Sequence, residues 1–427
     1  MIDMDFPPNQ LTPEKVFNNN ESVLAATANM YTLLSTLDNF VLRAGIYTDE
    51  LVSSATDATT MEFANSVLTA DNSGVKQVWQ NLYFTIYRAN AIIEGAGASP
   101  KLADSVKQQV IGEAKFMRAF CNFYLVNIFG EVPLTTSSSV EQTSTASRHP
   151  VNEIYLQIVN DLKDAQQLLP VANAGNAGKV RANKWTAAAL LARIYLYQER
   201  WGEAEVQASL VINSGSYSLV NNLNSVFLAS STEAIFQYWN TNGISTLGTL
   251  FIPSSGAPLY SPSNVFLNSF ETGDARKTNW LKSAIVSGTT YYYPYKYKQR
   301  TTAIGANIEY SMYLRLSEQY LIRAEARAQQ NKLSEAAADL NLIRNRATLP
   351  NVTAATQSDL LTAIHNERRF EFFAESGHRF FDLKRTRTID TVMLQAKSLW
   401  RTGSALFPIP QSEILLNPNL SQNPGYH

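Results

Sequence analysis

Cysteine is almost missing from this chain of 427 residues: Cys121 stands alone, so no internal disulfide framework can form. Its neighbours in "FMRAFCNFYLV" are apolar at helical spacing, which reads Cys121 as a small core residue and not a nucleophile. The four histidines, His149, His365, His378 and His427, are scattered, with no HExxH spacing and no cysteine nearby. A metal site therefore has no support, and no motif asks for a cofactor. Charge is scarce and balanced, at 17% of residues and a formal net charge of -1, so the chain lacks the positive field that draws nucleic acid or an anionic membrane. No apolar run reaches the roughly 18 to 20 residues that a spanning helix needs, and "MIDMDFPPNQLTPEKVF" lacks the charged-then-apolar order of a signal peptide. Residues 3–13 read as an extended lead-in. An export signal removed earlier stays compatible with that start, so the missing signal does not imply a cytoplasmic home.

What is present is enough apolar material, 45% of residues, to build a large core. The length suits roughly two to three domains, or one body if the architecture is repetitive. Tyrosine equals phenylalanine at 20 each, which supplies amphipathic rings for recognition as well as for packing.

Helical periodicity dominates the first half, in "NESVLAATANMYTLLSTL", "SGVKQVWQNLYFTIYRANAIIEGA", "SVKQQVIGEAKFMRAFCNFYLVNIFG" and "VNEIYLQIVNDLKDAQQLLP". Polar stretches, "TTSSSVEQTSTASRHP" and "VANAGNAGKVRAN", read as surface connections, with Pro133, Pro150 and Pro170 at helix ends. "AALLARIYLYQERWGEAEVQASLVI" repeats as "QYLIRAEARAQQNKLSEAAADLNLI", with Ala192, Ala204, Ala208 and Val211 matching Ala324, Ala336, Leu340 and Ile343 at an offset of 132. Small residues where two helices cross are the physical content of a tetratricopeptide-like hairpin. Between the copies, residues 213–307 turn to short strand-like pieces and long Gly/Ser/Thr/Pro-rich loops, and such loops in a compact body point to a binding role.

The segment "NERRFEFFAESGHRFFDLKRTR" poses a choice between an active site and a joint. At helical pitch Glu367, Glu371 and Glu375 fall on one ridge, with Arg368 and Arg369 beside them. A glycosidase needs one protonated and one ionised carboxyl. Adjacent arginines favour two ionised ones, so structural ion pairing is the preferred reading.

The strings at residues 112–134 ("GEAKFMRAFCNFYLVNIFGEVPL") and 181–204, "GDAR" at 273–276, "YLRLSEQYLIRAEARA", "ERRFEFFAESGHRFFDLKR" and the tail "LFPIPQSEILLNPNLSQNPGY" together resemble the SusD-like (RagB/SusD) nutrient-binding lipoproteins of Bacteroidetes. The likeness runs nearly the whole length. It implies a mainly α fold in one unit: a helical, tetratricopeptide-like part at 14–212, a loop-rich, partly β ligand-binding part at 213–307, and C-terminal helices with an extended tail at 308–427. It further implies a non-catalytic protein on the extracellular face of the outer membrane, lipid-anchored in its precursor. Such a protein captures oligosaccharides for a SusC-like TonB-dependent transporter. The lipid-bearing cysteine of such proteins is not in this chain. The resemblance also makes Glu367, Arg368, Arg369 and Glu371 a joint between helices and tail, and Lys296 and Tyr297 a structural position.

A sugar site needs an aromatic plate and planar hydrogen-bonding groups. The candidates are Tyr238, Trp239, Tyr260, Tyr291, Tyr292 and Tyr293 in the insertion, with Tyr47, Asp49, Phe63 and Asn72 from the early loop where helical periodicity breaks. In "YYYPYKYK", Tyr291, Tyr293, Tyr295 and Tyr297 share a face at period two, which also fits sheet packing. Trp79, Trp185, Trp201 and Trp400 read as core. Peptide capture, a glycosidase using Glu367 and Glu371, and an intracellular helical scaffold remain the alternatives.

Overall fold

The computed structural model describes residues 13–172, 178–353 and 356–426. The lead-in expected at residues 3–13 lies outside these apart from Pro13, where a short helix begins. Helix makes up 57% and strand 8%, with no closed sheet among the described residues, so the protein is mainly α.

The first helical stretch is broken into α1 (Asn20–Met30), a 3-10 segment (Tyr31–Thr36) and α2 (Leu37–Tyr47). After β1 (Leu51–Ser53) and α3 (Ala58–Asn65) come two long helices, α4 (Ser73–Ala98) and α5 (Asp104–Phe129). The Asn72 side chain accepts from the Gly74 and Val75 N–H groups and so caps α4. Strands β2 (Val132–Pro133) and β3 (Arg148–His149) precede α6 (Val151–Leu168). The hairpin α7 (Lys184–Tyr197) and α8 (Trp201–Ile212) follows. Beyond the insertion lie α9 (Leu316–Gln329), α10 (Leu333–Arg346), α11 (Gln357–Glu371), α12 (His378–Arg385) and α13 (Ile389–Ala396).

Helices α4 to α10 form a row in which each packs on the next, and α1 and α11 extend it by packing on α4 and α9. The internal repeat holds down to the backbone. Each hairpin turns on one left-handed residue, Glu199 (φ 58°) or Asn331 (φ 61°), 132 positions apart. The bonds match too, with Arg200 N–H donating to Tyr195 O and Lys332 N–H to Arg327 O, both at 2.9 Å. All eight matched positions, from Ala192 to Ile343, are fully buried, so small side chains let the paired helices approach closely.

The insertion departs from α8 and returns to α9. It carries β4 (Ala234–Tyr238), β5 (Tyr260–Pro262), β6 (Leu281–Val286), β7 (Thr289–Pro294) and, at its exit, β8 (Ser311–Arg315). Among the described residues the strands pair antiparallel as β1 with β5, β2 with β3, β4 with β8 and β6 with β7, four separate two-stranded ladders. The tail is held by side-chain hydrogen bonds. Arg148 Nη1 donates to Ser421 O at 3.0 Å, and buried Asn423 donates Nδ2 to Phe129 O and Phe407 O at 2.8 and 2.7 Å.

Candidate functional site

The acidic ridge is a buried joint. Glu371 is fully buried and accepts from Arg315 Nη1 at 2.5 Å, from Arg276 Nη1 at 3.2 Å and from Arg346 Nη2. Glu367 takes Arg276 Nη1 at 2.6 Å and Arg344 Nη1 at 3.2 Å. Glu233, at the start of β4, bonds Arg315 and Arg346, while Glu375 bonds Lys296 and Arg315. With Asp274 on Arg276, five carboxylates meet five cations drawn from the insertion, β8, α10, α11 and the turn after it. Burial opposes ionisation of Glu371, yet Arg346, Arg315 and Arg276 outweigh it and hold its carboxyl well below the usual range. At Glu367 burial wins and the carboxyl is raised.

Two expectations about this segment are corrected. Helix α11 stops at Glu371, and Glu375 reaches the cluster through a turn with Ala374, Ser376 and Gly377 in left-handed conformation. Lys296 Nζ and Arg315 Nη2 hold that turn by donating to Glu371 O at 2.7 and 2.8 Å. Nor do Arg368 and Arg369 pair with the ridge. Arg368 binds Asp382 at 2.9 Å, and Arg369 reaches Asp49 at 3.0 Å. The ridge therefore joins insertion to helices, while the tail is held elsewhere. Glu367 and Glu371 do not line a cleft, which removes the geometry that a glycosidase pair would need.

Four early-loop candidates are corrected as ligand contacts because the structure encloses them. Tyr47 is fully buried, donates its hydroxyl to Ser404 O at 2.8 Å and stacks edgewise on Phe407. Phe63 sits in the same aromatic cluster. Asp49 is clamped by Arg379 and Arg369, and Asn72 is the α4 cap. Tyr260, 9% exposed, and Tyr293, 5% exposed, face inward from their strands. Among the tryptophans read as core, Trp79 and Trp400 are buried, whereas Trp185 and Trp201 are only half-buried.

Four candidates reach solvent. Tyr238 ends β4 half-buried, and Trp239 follows it 51% exposed. They line a groove of about 360 Å³ with Tyr31, Thr32, Arg181 and Asn240. Its floor is fixed, since Tyr31 donates its hydroxyl to Glu113 at 2.7 Å and Arg181 binds the same carboxylate through two nitrogens at 2.5 and 2.9 Å. Tyr310 interacts with Trp239. Tyr31, Arg181 and Tyr310 were missed by sequence reasoning, because only tertiary folding brings the first helices to β4. The other exposed pair, Tyr291 and Tyr292, stands 37% exposed on the β6–β7 hairpin. A plate of exposed rings beside an amide suits noncovalent contact with a sugar or a peptide.

One family model, described as "SusD family", matches residues 276–426, and another, "Starch-binding associating with outer membrane", matches residues 5–196. The chain belongs to the SusD family. This SusD-family chain is 27% identical to SusD-like protein P2 of Formosa agariphila over 98% of its own length and 95% of that protein. A SusD superfamily crystal structure from Parabacteroides distasonis superposes with a TM-score of 0.84 at 26% identity, covering 98% of this chain and 100% of that one. A laminarin binding SusD-like protein superposes with a TM-score of 0.83 at 24% identity, covering 96% and 100%. Family membership carries carbohydrate binding and outer-membrane association as family traits. Among the described residues no helix is long and apolar enough to cross a membrane.

Proposed function

We propose that this SusD-family protein is a non-catalytic binding protein on the extracellular face of the outer membrane. It captures oligosaccharides on the exposed rings of its insertion and passes them to a SusC-like TonB-dependent transporter. The observation that carries the reading is Trp239, half exposed beside Tyr238 and Asn240 over a floor locked by Tyr31, Glu113 and Arg181. Rings of this kind present a flat apolar plate to sugar C–H groups, and the amide fixes orientation. The carboxylates that a glycosidase would need are instead neutralised in the joint. A lipid-anchored precursor would place the protein over the transporter without a spanning helix.

Isothermal titration against oligosaccharides from laminarin and starch, against other glycans and against extended peptides tests this. Binding without hydrolysis is expected, and Trp239→Ala should weaken it about three- to tenfold, the value of one aromatic contact. Binding to peptides with silence toward every glycan refutes the reading, as does release of shortened sugars. Copurification with an outer-membrane β-barrel tests delivery, and a soluble scaffold partner in its place would refute it.

A further inference from the structure

The β6–β7 hairpin carries more than exposed tyrosines. In its register Lys282 lies opposite Tyr293 and Ala284 opposite Tyr291, so these four share one face. Tyr295 continues that row, edge-on to Tyr293 with ring centroids 5.9 Å apart. Two ammonium groups converge on the Tyr295 ring: Lys282 Nζ at 4.7 Å from its centroid and Lys298 Nζ at 4.4 Å. Lys298 is pinned there by donating to Tyr295 O and Asn279 O at 2.5 Å each.

The two charges repel each other, and while Lys298 has two carbonyl acceptors, Lys282 has no hydrogen-bond acceptor among the described residues. Neither ammonium has a carboxylate within 4.0 Å among the described residues. Glu309, whose charge acts on Lys298, is buried, with its oxygens taken by the Lys298 and Gln299 N–H groups at 2.7 to 2.9 Å. Burial draws Lys298 down to about 8, so it stays charged at neutral pH. Across the strand, Ala284 opposite Tyr291 leaves open the space that a larger side chain would fill. A saccharide laid on Tyr291 and running along this face toward Tyr295 would bring its next unit to the Lys282 and Lys298 ammonium groups.

We propose that this hairpin face is a subsite for anionic glycans, in which Tyr291 carries the sugar ring while Lys282 and Lys298 receive a carboxylate or sulfate. The proposal rests on the carbohydrate-binding reading and narrows its substrate class to acidic sugars.

The test is titration of the full chain with an oligogalacturonate, a sulfated galactan oligosaccharide and a neutral laminarin oligosaccharide of matched length, at low and high salt. Tighter binding of at least one acidic probe, weakening as salt rises, is expected. Lys282→Gln should lower the acidic-to-neutral affinity ratio about two- to fivefold, the value of one exposed ion pair. The galacturonate and galactan arms distinguish carboxylate from sulfate. If the neutral probe binds as tightly as both acidic ones, or Lys282→Gln leaves the ratio unchanged in a protein of unaltered melting temperature, the subsite is wrong and the carbohydrate reading stands. Silence toward all three probes and toward the wider glycan panel overturns both.

Discussion

Replacing Glu371 by glutamine keeps the shape of the side chain and removes one negative charge from the centre of the joint. The residue is fully buried and meets guanidinium groups of Arg276, Arg315 and Arg346. After the change, four carboxylates face five cations, and an amide NH₂ is turned toward donors that it cannot satisfy. Breaking a buried pair in this way costs about 3–5 kcal/mol. Unfolding entropy of ~2 cal/mol/K per residue over 427 residues gives roughly 0.9 kcal/mol per degree, so the melting temperature should fall by about 3–6 °C. Scanning calorimetry at pH 7 measures it. The folded pKa of Glu371 lies below its unfolded value, so its contribution is complete above the unfolded pKa of about 4.3 and fades as pH falls through the folded one. The deficit of Glu371→Gln should therefore persist from pH 5 upward and shrink only in strong acid. Glu367→Gln, at a carboxyl that burial already raises, should cost less. An unchanged or higher melting temperature for Glu371→Gln would mean that the cluster does not hold the insertion to the helices.

Glu50 gives the opposite pH signature. Burial pushes its carboxyl up to about 7, against a single N–H donated by Ala374 at 3.0 Å. A raised folded pKa means stability lost between the unfolded value and about pH 7, so Glu50→Gln should gain roughly 2–4 kcal/mol relative to the parent between pH 4 and pH 8. Parallel urea titrations at the two pH values check it, and a pH-independent difference would contradict it. Gly377 sits at φ 74°, where an added Cβ would lie 2.7 Å from Phe40 Cε1. Gly377→Ala should destabilise by about 1–3 kcal/mol, read as a lowered denaturant midpoint, and an unshifted midpoint would show that the turn can relax.

The helical frame was legible because its signals are local. The hairpin repeat could be read from alanines spaced for close crossing, and the structure extends the match to the left-handed link residues Glu199 and Asn331. The site was far less legible. Polar residues after α2 rightly marked a break in periodicity but not exposure. Asp49 is polar because Arg369 and Arg379 meet it from some 320 residues away in sequence, and Tyr47 is enclosed because the tail returns Ser404 and Phe407 to it. The same long-range pairing explains the ridge, whose partners come from Arg276, Arg315 and Arg346 and not from the adjacent arginines. Period two in "YYYPYKYK" did place Tyr291 and Tyr293 on one side of a strand, yet only the packing of the folded chain shows that Tyr293 is covered and Tyr291 is not.

Among the described residues the four ladders never fuse into a common sheet. A hairpin whose backbone bonds end with its own partner can lengthen, shorten or change its side chains without shifting the register of any other. Diversification at the tip of the β6–β7 hairpin thus leaves the other three ladders intact, so this stretch of surface can change without disturbing the rest.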